Sequence, residues 1–356
     1  HKKTLLTKHT LKTRAMSFEP HHTSSKPAHD LHENPMTPPT TTTHTSPIRP
    51  VAIVGPTASG KSALGISLAH ACDGEIVNVD SMQLYRGMDI GTAKLTIPER
   101  AGIPHHLLDI WDVTETASVA HYQNLAIATV TDIMARGKLP ILVGGSMLYV
   151  QSLIDDWQFP PTDPQVRKNW EKKLADNGIA ALHDHLKTLD PEAAAIIEAN
   201  DPRRTVRALE VIELTGRPFT ASQPPKTAPP RWDTIIIGLR TTSDWLNPRI
   251  TQRTEQMFAQ GFIDEVADLV ANRGLIADST AGRAIGYAQI LAARAGQLAW
   301  DDVLERTIIS TRRYVRRQRS WFNRDPRIHW IDATDTENPP YEQMRNILIA
   351  EGVSCG

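Results

Sequence analysis

Residues 51–62 read V-A-I-V-G-P-T-A-S-G-K-S, and the run Ala63-Leu64-Gly65-Ile66-Ser67-Leu68-Ala69 follows directly. An apolar strand, a glycine-bounded turn and a helix-forming run in that order commit the chain to an α/β architecture. The turn carries the phosphate-binding P-loop pattern, built from Gly55, Pro56, Thr57, Ala58, Ser59, Gly60, Lys61 and Ser62. Glycines let such a loop curl so that several backbone N–H groups face one anion, with a helix N-terminus behind them. Lys61 is then expected on the phosphates, and the Ser62 hydroxyl is expected to help hold Mg²⁺. An accidental Gly-rich turn would have no need of the Lys-Ser pair. The motif does not say which phosphate compound is bound.

Further apolar strand candidates follow at Glu75–Val79, Leu139–Val143, Thr234–Leu239 and Ile328–Ile331, alternating with helical patterns. This alternation predicts a P-loop-type, mainly parallel sheet with helices on both faces. Between about Asp155 and Arg231 helical patterns dominate, and the segment closes on the Pro-rich run Gln223–Pro230. We read residues 156–231 as a helical insert on a hinge, between core parts 47–155 and 232–335, with a C-terminal segment 336–356. Residues 1–46, rich in Thr, Pro, His and Lys, read as a disordered tail. With His1 at the start and Met36 just before the fold, much of that tail reads as vector-derived or as an upstream extension. No apolar run suits a secretory signal or a membrane span, which needs roughly 20 residues. The two cysteines, Cys72 and Cys355, have no zinc spacing and are expected as free thiols in a reducing cytosol. A net charge of −1 means that nucleic-acid binding would have to come from local basic faces.

Nucleotide hydrolases usually end a second strand in an acid that helps hold Mg²⁺. Here Leu139–Val143 runs into Gly144-Gly145-Ser146, and the acid follows the other strand instead, as Val79-Asp80-Ser81. At the carboxyl end of a strand beside the P-loop, Asp80 would face the ligand crevice. A carboxylate there does little for anion affinity, so it is expected to handle a proton or a metal; the alternative is a helix N-cap. The following run, 80–94, is polar and has no clean period, as a functional loop would.

These residues resemble the tRNA isopentenyltransferase (tRNA dimethylallyltransferase) family. The resemblance rests on G-P-T-A-S-G-K-S, on V-D-S-x-x-x-Y-x-G-M-D-I-G-T-A-K at 79–94, on His105-His106-Leu107-Leu108-Asp109 and on Val143–Tyr149. It runs from about Val51 to Trp330, and the second block is far more specific than the P-loop. The resemblance implies that the P-loop holds dimethylallyl diphosphate rather than ATP. It implies prenyl transfer to N6 of the adenosine 3′ to the anticodon, in tRNAs reading codons that begin with U. Asp80 would be the general base, a role worth about 10²–10⁴-fold. Lys61, the loop amides and Mg²⁺ at Ser62 would stabilise the leaving diphosphate. Arg253 would be the cation on its other side, on a helix expected to start at Asn247-Pro248. Ser146 stands where the family commonly has a threonine contacting the target base.

The base must be extruded from the anticodon loop to react, and the resemblance implies Asp80, Ser81, Met82, Gln83 and Ser146 around it. Six arginines and no acid lie between Arg312 and Arg324. There Val315 and Phe322 would continue an apolar stripe from Leu304 and Ile308, leaving a basic face. The resemblance puts Arg316, Arg317, Gln318, Arg319 and Trp321 on tRNA, with Arg203, Arg204 and Arg207 as a second contact; the alternative for the latter is pairing with Glu210. Arg283, Gly286 and Tyr287 resemble a third contact, although Ala288 stands where relatives often carry a basic residue. Arg167 matches an insert residue that touches tRNA. The lack of a Cys/His zinc finger suggests the bacterial form; the resemblance implies a monomer, and neither a membrane nor an obligate protein partner is expected. Competing readings are a prenyltransferase acting on free AMP or ATP, a small P-loop kinase and a non-catalytic RNA-binding protein. The insert and arginine cluster argue against the first, the 79–94 block against the second, and the Asp80–Lys61 pair against the third.

Overall fold

The computed structural model describes residues 48–157, 159–219, 228–353 and 355. The expected tail, and the Gln223–Thr227 part of the expected hinge, lie outside the described residues. Strand β1 (Val51–Val54) is buried along its whole length and leads through the P-loop into α1 (Lys61–Ala71). Then come β2 (Gly74–Asn78), the two-residue β3 (His105–His106), α2 (Val119–Ala135), β4 (Leu139–Val143) and α3 (Met147–Ile154). The helices α4 (Pro164–Leu189), α5 (Pro191–Ile196) and α6 (Pro202–Thr215) follow. The chain returns as β5 (Ile235–Arg240), α7 (Ser243–Ala259), α8 (Phe262–Arg273), α9 (Tyr287–Arg294), α10 (Val303–Phe322), β6 (Ile328–Asp332) and α11 (Pro340–Ala350).

The six strands form one sheet in the order β3-β2-β4-β1-β5-β6, and every pairing is parallel. A parallel sheet covered on both faces needs continuous apolar strands. Accordingly β1 and β4 are runs of buried residues, in register Val51↔Ile141. One face packs with α2, α3, α8 and α9 in a core that includes Tyr85, Tyr122, Leu153 and Phe262. The other face packs with α1 and α11 around Ile53, Leu68, Ile237 and Met344. The C-terminal segment is therefore part of the core. Helices α4–α6 enclose a third cluster, Trp170, Leu182, Leu186, Ala193, Val206 and Leu209. Near its middle α4 is broken at Gly178, whose φ of +79 is costly for side-chain-bearing residues.

Three expectations are corrected. Cys72 and Cys355 are joined in a disulfide, with Cα atoms 4.5 Å apart, rather than being free thiols. The segment after α11 returns along the end of α1, a proximity between residues 283 positions apart that no local spacing reveals. Helix α7 begins at Ser243, capped by Thr242, whose hydroxyl accepts the Trp245 N–H at 3.3 Å. Pro248 thus sits inside the helix instead of opening it, because burial of Leu246 beside Ile250 and Thr254 favours the earlier start. On α10 the buried line is Val303, Thr307, Val315, Gln318 and Phe322, with Leu304 and Ile308 only half-buried. Among the described residues no helix is long and apolar enough to cross a membrane.

Candidate active site

The carboxyl ends of β2, β4 and β1 open on one cavity of about 510 Å³. It is lined by Thr57, Gly60, Lys61 and Ser62 from the P-loop and α1, by Asp80 and Gln83 after β2, and by Arg249 and Arg253 from α7. Ile76, Leu95, Leu108 and Val143 supply apolar wall beside these polar groups. That mixture suits a small hydrocarbon carrying a strongly anionic head.

Gly60 caps α1 with a φ of +96 and no side-chain bond to the first-turn amides, so they are left for an anion. Ser59 Oγ is buried and has no hydrogen-bond partner among the described residues. Such an orphaned hydroxyl is costly unless a ligand completes it. Lys61 Nζ donates to the Pro56 carbonyl at 2.6 Å. Burial, reinforced by the Arg253 charge, lowers the Lys61 ammonium to about 7, with Asp80 acting in the opposite sense. Burial also lowers Arg253, which donates through Nη1 to Thr57 Oγ1 at 3.3 Å. Arg249 stacks its guanidinium 4.3 Å from the centre of the Trp245 ring, in line with Arg253 one turn on. Ser62 and Asp80 put a hydroxyl and a carboxylate on the same cavity, oxygen donors of the kind Mg²⁺ prefers. No cluster of three His, Cys, Asp or Glu side chains suited to a metal occurs among the described residues.

The two carboxylate oxygens of Asp80 differ in their surroundings. Its Oδ1 accepts the Met82 N–H at 2.9 Å, the capping role, while Oδ2 has no hydrogen-bond partner among the described residues. The side chain of Asn78 braces the turn, accepting from the Asp80 N–H at 3.0 Å and donating to the Asp80 carbonyl at 3.1 Å. Tyr122, Tyr149 and Tyr314 stand around this carboxylate, each held neutral chiefly by burial and further by the Asp80 charge. Ser146 Oγ accepts the Ser81 N–H at 2.9 Å and lies 3.1 Å from Ser81 Oγ. Its expected base-contacting hydroxyl is thus engaged with the neighbouring loop.

The block 80–94 is held from behind. Lys94, buried, places Nζ 2.6 Å from Asp89, 2.5 Å from Asp109 and 2.8 Å from the Tyr85 carbonyl. Glu265 on α8 accepts the N–H groups of Asp89, Ile90 and Gly91. Met82 packs half-buried on the core. Much of the motif's specificity is therefore structural, serving to aim Asp80 and Gln83.

On the expected RNA face the structure divides the residues. Arg203, Arg204, Arg283, Arg316 and Arg317 are exposed. Arg167 and Arg207 instead pair with the fully buried Glu210, at 2.7 Å and 2.8 Å. Arg207 also donates to the carbonyls of Pro160 and Pro161, clasping the entry to α4. Burial pushes the Glu210 carboxyl up, but the bonds from Arg167, Arg207 and the Asp163 N–H together carry it below its ordinary value. Arg319 is tied to Thr241 and Ser243 at the start of α7. Trp321 is half-buried under Arg324, whose guanidinium lies 5.4 Å from its ring.

Two residues expected on tRNA are interior instead. Tyr287 is fully buried and donates its hydroxyl to Glu265. Gln318 is 2% exposed. Gly286 has a φ of +88, and an added Cβ would collide with Phe262, so its glycine character serves packing. Residues that sequence reasoning missed include His105, Gln252 and Gln256 on the cavity wall and Tyr314 near Asp80. The one available signal was helical spacing: Arg249, Gln252, Arg253 and Gln256 fall on one face of α7.

The comparisons agree with this geometry. The IPP transferase family model matches residues 83–325. A tRNA dimethylallyltransferase of Corynebacterium glutamicum is 73% identical over 301 residues, 85% of this chain and 99% of that protein. One of Nocardia farcinica is 59% identical over 286 residues, 80% of this chain and 91% of that protein. The crystal structure of a tRNA isopentenylpyrophosphate transferase from Bacillus halodurans superposes with a TM-score of 0.63 at 39% identity, covering 85% of this chain and 96% of that one. A eukaryotic dimethylallyltransferase acting on tRNA gives 0.71 at 28% identity, covering 85% and 79%. With a family model spanning most of its length and relatives this similar over nearly their whole chains, the protein belongs to the IPP transferase family, whose relatives here are tRNA dimethylallyltransferases.

Proposed function

We propose that this chain transfers a dimethylallyl group from dimethylallyl diphosphate to N6 of the adenosine adjacent 3′ to the anticodon, position 37, of tRNAs reading U-starting codons. The observation that carries this reading is that Asp80, Lys61 and Arg253 stand beside an apolar wall in one cavity. The P-loop amides, Ser59 Oγ and the Lys61 ammonium receive the diphosphate, with Arg253 closing from α7. Ile76, Leu95, Leu108 and Val143 shelter the hydrocarbon from water. The target base, extruded from its stack, brings N6 to Asp80.

The N6 lone pair is delocalised into the purine ring and attacks poorly while its proton remains. As the N6–C bond forms and the allylic C–O bond breaks, Asp80 accepts the N6 proton. The electron pair of the broken bond leaves on the diphosphate, where preorganised cations stabilise it. Ser62, with Asp80 at hand, would hold Mg²⁺, which when bound supplies further charge neutralisation for the diphosphate oxygens. In this reading Arg203, Arg204, Arg316 and Arg317, all exposed, meet tRNA phosphates, contacts that position rather than specify. With tRNA as substrate, its place of action is the cytoplasm.

The test is incubation with unmodified tRNA, dimethylallyl diphosphate and Mg²⁺, followed by nucleoside mass spectrometry, beside an AMP control. Isopentenyladenosine from tRNA alone supports the reading. Product from AMP would move the chain to free-nucleotide prenylation, and no product from either would refute prenyl transfer.

A further inference from the structure

We infer that Gln318 is a positioning residue that locks the diphosphate loop to the acceptor-base loop and couples both to the RNA-facing helix α10. The inference rests on the prenyl-transfer reading. Gln318 lies on α10 directly after the exposed Arg316 and Arg317, yet its own side chain turns inward. Its Oε1 accepts the Thr57 N–H at 3.1 Å, and its Nε2 donates to the Gly145 carbonyl at 2.8 Å. One planar amide therefore joins three segments that are far apart in sequence.

What each end holds gives the strut its consequence. Thr57 is gripped twice, by Gln318 at its N–H and by Arg253 at its hydroxyl. The Thr57 N–H is thus committed to Gln318 rather than to a phosphate. At the other end Gly145 precedes Ser146, whose hydroxyl takes the N–H of Ser81 beside Asp80. A Cβ on Gly145 would come within 2.5 Å of Gln318 Nε2 and 2.8 Å of the Gly55 carbonyl, so the glycine is what admits the strut. No apolar side chain of the same volume could do this, because the site needs one donor and one acceptor on a single rigid head. Glutamate would keep the acceptor for Thr57 but set a carboxylate oxygen against the Gly145 carbonyl. Contacts that tRNA makes through Arg316 and Arg317 reach the diphosphate loop through one helical turn and this amide. Binding of the two substrates is then reciprocally coupled.

The experiment compares wild type with Gln318→Met, which keeps the volume and loses both bonds, and Gln318→Glu, which can keep the bond to Thr57. Affinity for dimethylallyl diphosphate and for tRNA is measured alone and with the other present, together with kcat and KM. Expected for Gln318→Met is a tRNA affinity alone within about twofold of wild type, diphosphate affinity weakened about tenfold, kcat lowered 10–100-fold and coupling between the substrates abolished. Gln318→Glu should recover diphosphate affinity in part but not kcat. Wild-type kcat with intact coupling in Gln318→Met would overturn the inference. So would a loss of tRNA affinity alone as large as the loss of kcat, since that would make Gln318 an RNA contact. Binding of inorganic diphosphate keeps the two ideas separable. Were wild type to transfer no prenyl group, the functional reading would fall, while tenfold weaker diphosphate binding in Gln318→Met would still report the strut.

Discussion

The lowered pKa of Lys61 makes diphosphate binding a proton-linked event. Free protein holds the Lys61 ammonium at about 7, because burial and Arg253 disfavour the charge. A bound diphosphate supplies the missing counter-charge and restores the pKa toward its ordinary value near 10.5. The sign follows: binding is strongest below pH 7 and weakens as pH rises above it, until the bound-state pKa is reached. With a free-state pKa of about 7, restoration to the ordinary 10.5 on binding makes affinity fall roughly fifty-fold between pH 7 and pH 9. At pH 8 about 0.9 proton should be taken up per diphosphate bound. Calorimetric titration of dimethylallyl diphosphate, without tRNA and in buffers of different ionisation enthalpy, reads both quantities. The ligand's own ionisation is removed by comparison with Lys61→Met, which should bind weakly with no such uptake. Affinity flat across this range, or uptake unchanged in Lys61→Met, would refute the reasoning.

Other consequences can be checked separately. Glu210→Ala should cost about 1–3 kcal/mol, since Arg167 and Arg207 lose their shared carboxylate but are partly exposed; thermal unfolding of the variant reads it, and an unchanged midpoint would contradict the assignment. Leu186→Ala removes a fully buried side chain from the α4–α6 core and should cost about 2–5 kcal/mol, visible as faster proteolysis within residues 164–215. Glu75 is lowered to about 2, first by its hydrogen bond from Arg136 against the cost of burial, then by His106. Its contribution should be full above pH 4.5 and fade as pH falls toward 2, so Glu75→Gln should flatten that part of the stability curve. Thiol labelling of the unfolded chain should find no free cysteine before reduction and two after it; two labels before reduction would exclude the disulfide.

What the sequence disclosed follows from how local each cause is. Strands β1 and β4 were legible because burial on both faces forces continuous apolar runs. The P-loop and Asp80 were legible because their chemistry is written in adjacent residues. Strand β3 was not, since two histidines carry no period and their pairing comes from β2 alongside. Gln318 and Tyr287 looked like RNA contacts because they sit among arginines or beside a glycine turn. Only the packing of α10 against the P-loop, and of α9 against Glu265, shows that they face inward. Arg207 could be read either way in one dimension, and the structure shows its pairing with the buried Glu210. The start of α7 was misplaced because a proline at a first-turn position is a common signal, and here the buried Leu246 outweighs it.

The most direct test of the central claim is Asp80→Asn in a single-turnover transfer assay with saturating dimethylallyl diphosphate and unmodified tRNA, beside a tRNA binding measurement. Asparagine keeps the oxygen that accepts the Met82 N–H and removes the carboxylate that takes the proton. The account predicts that the transfer rate falls about 10²–10⁴-fold while tRNA affinity stays within about threefold. A transfer rate near that of wild type would show that Asp80 is not the base, and the mechanism built on this cavity would be wrong.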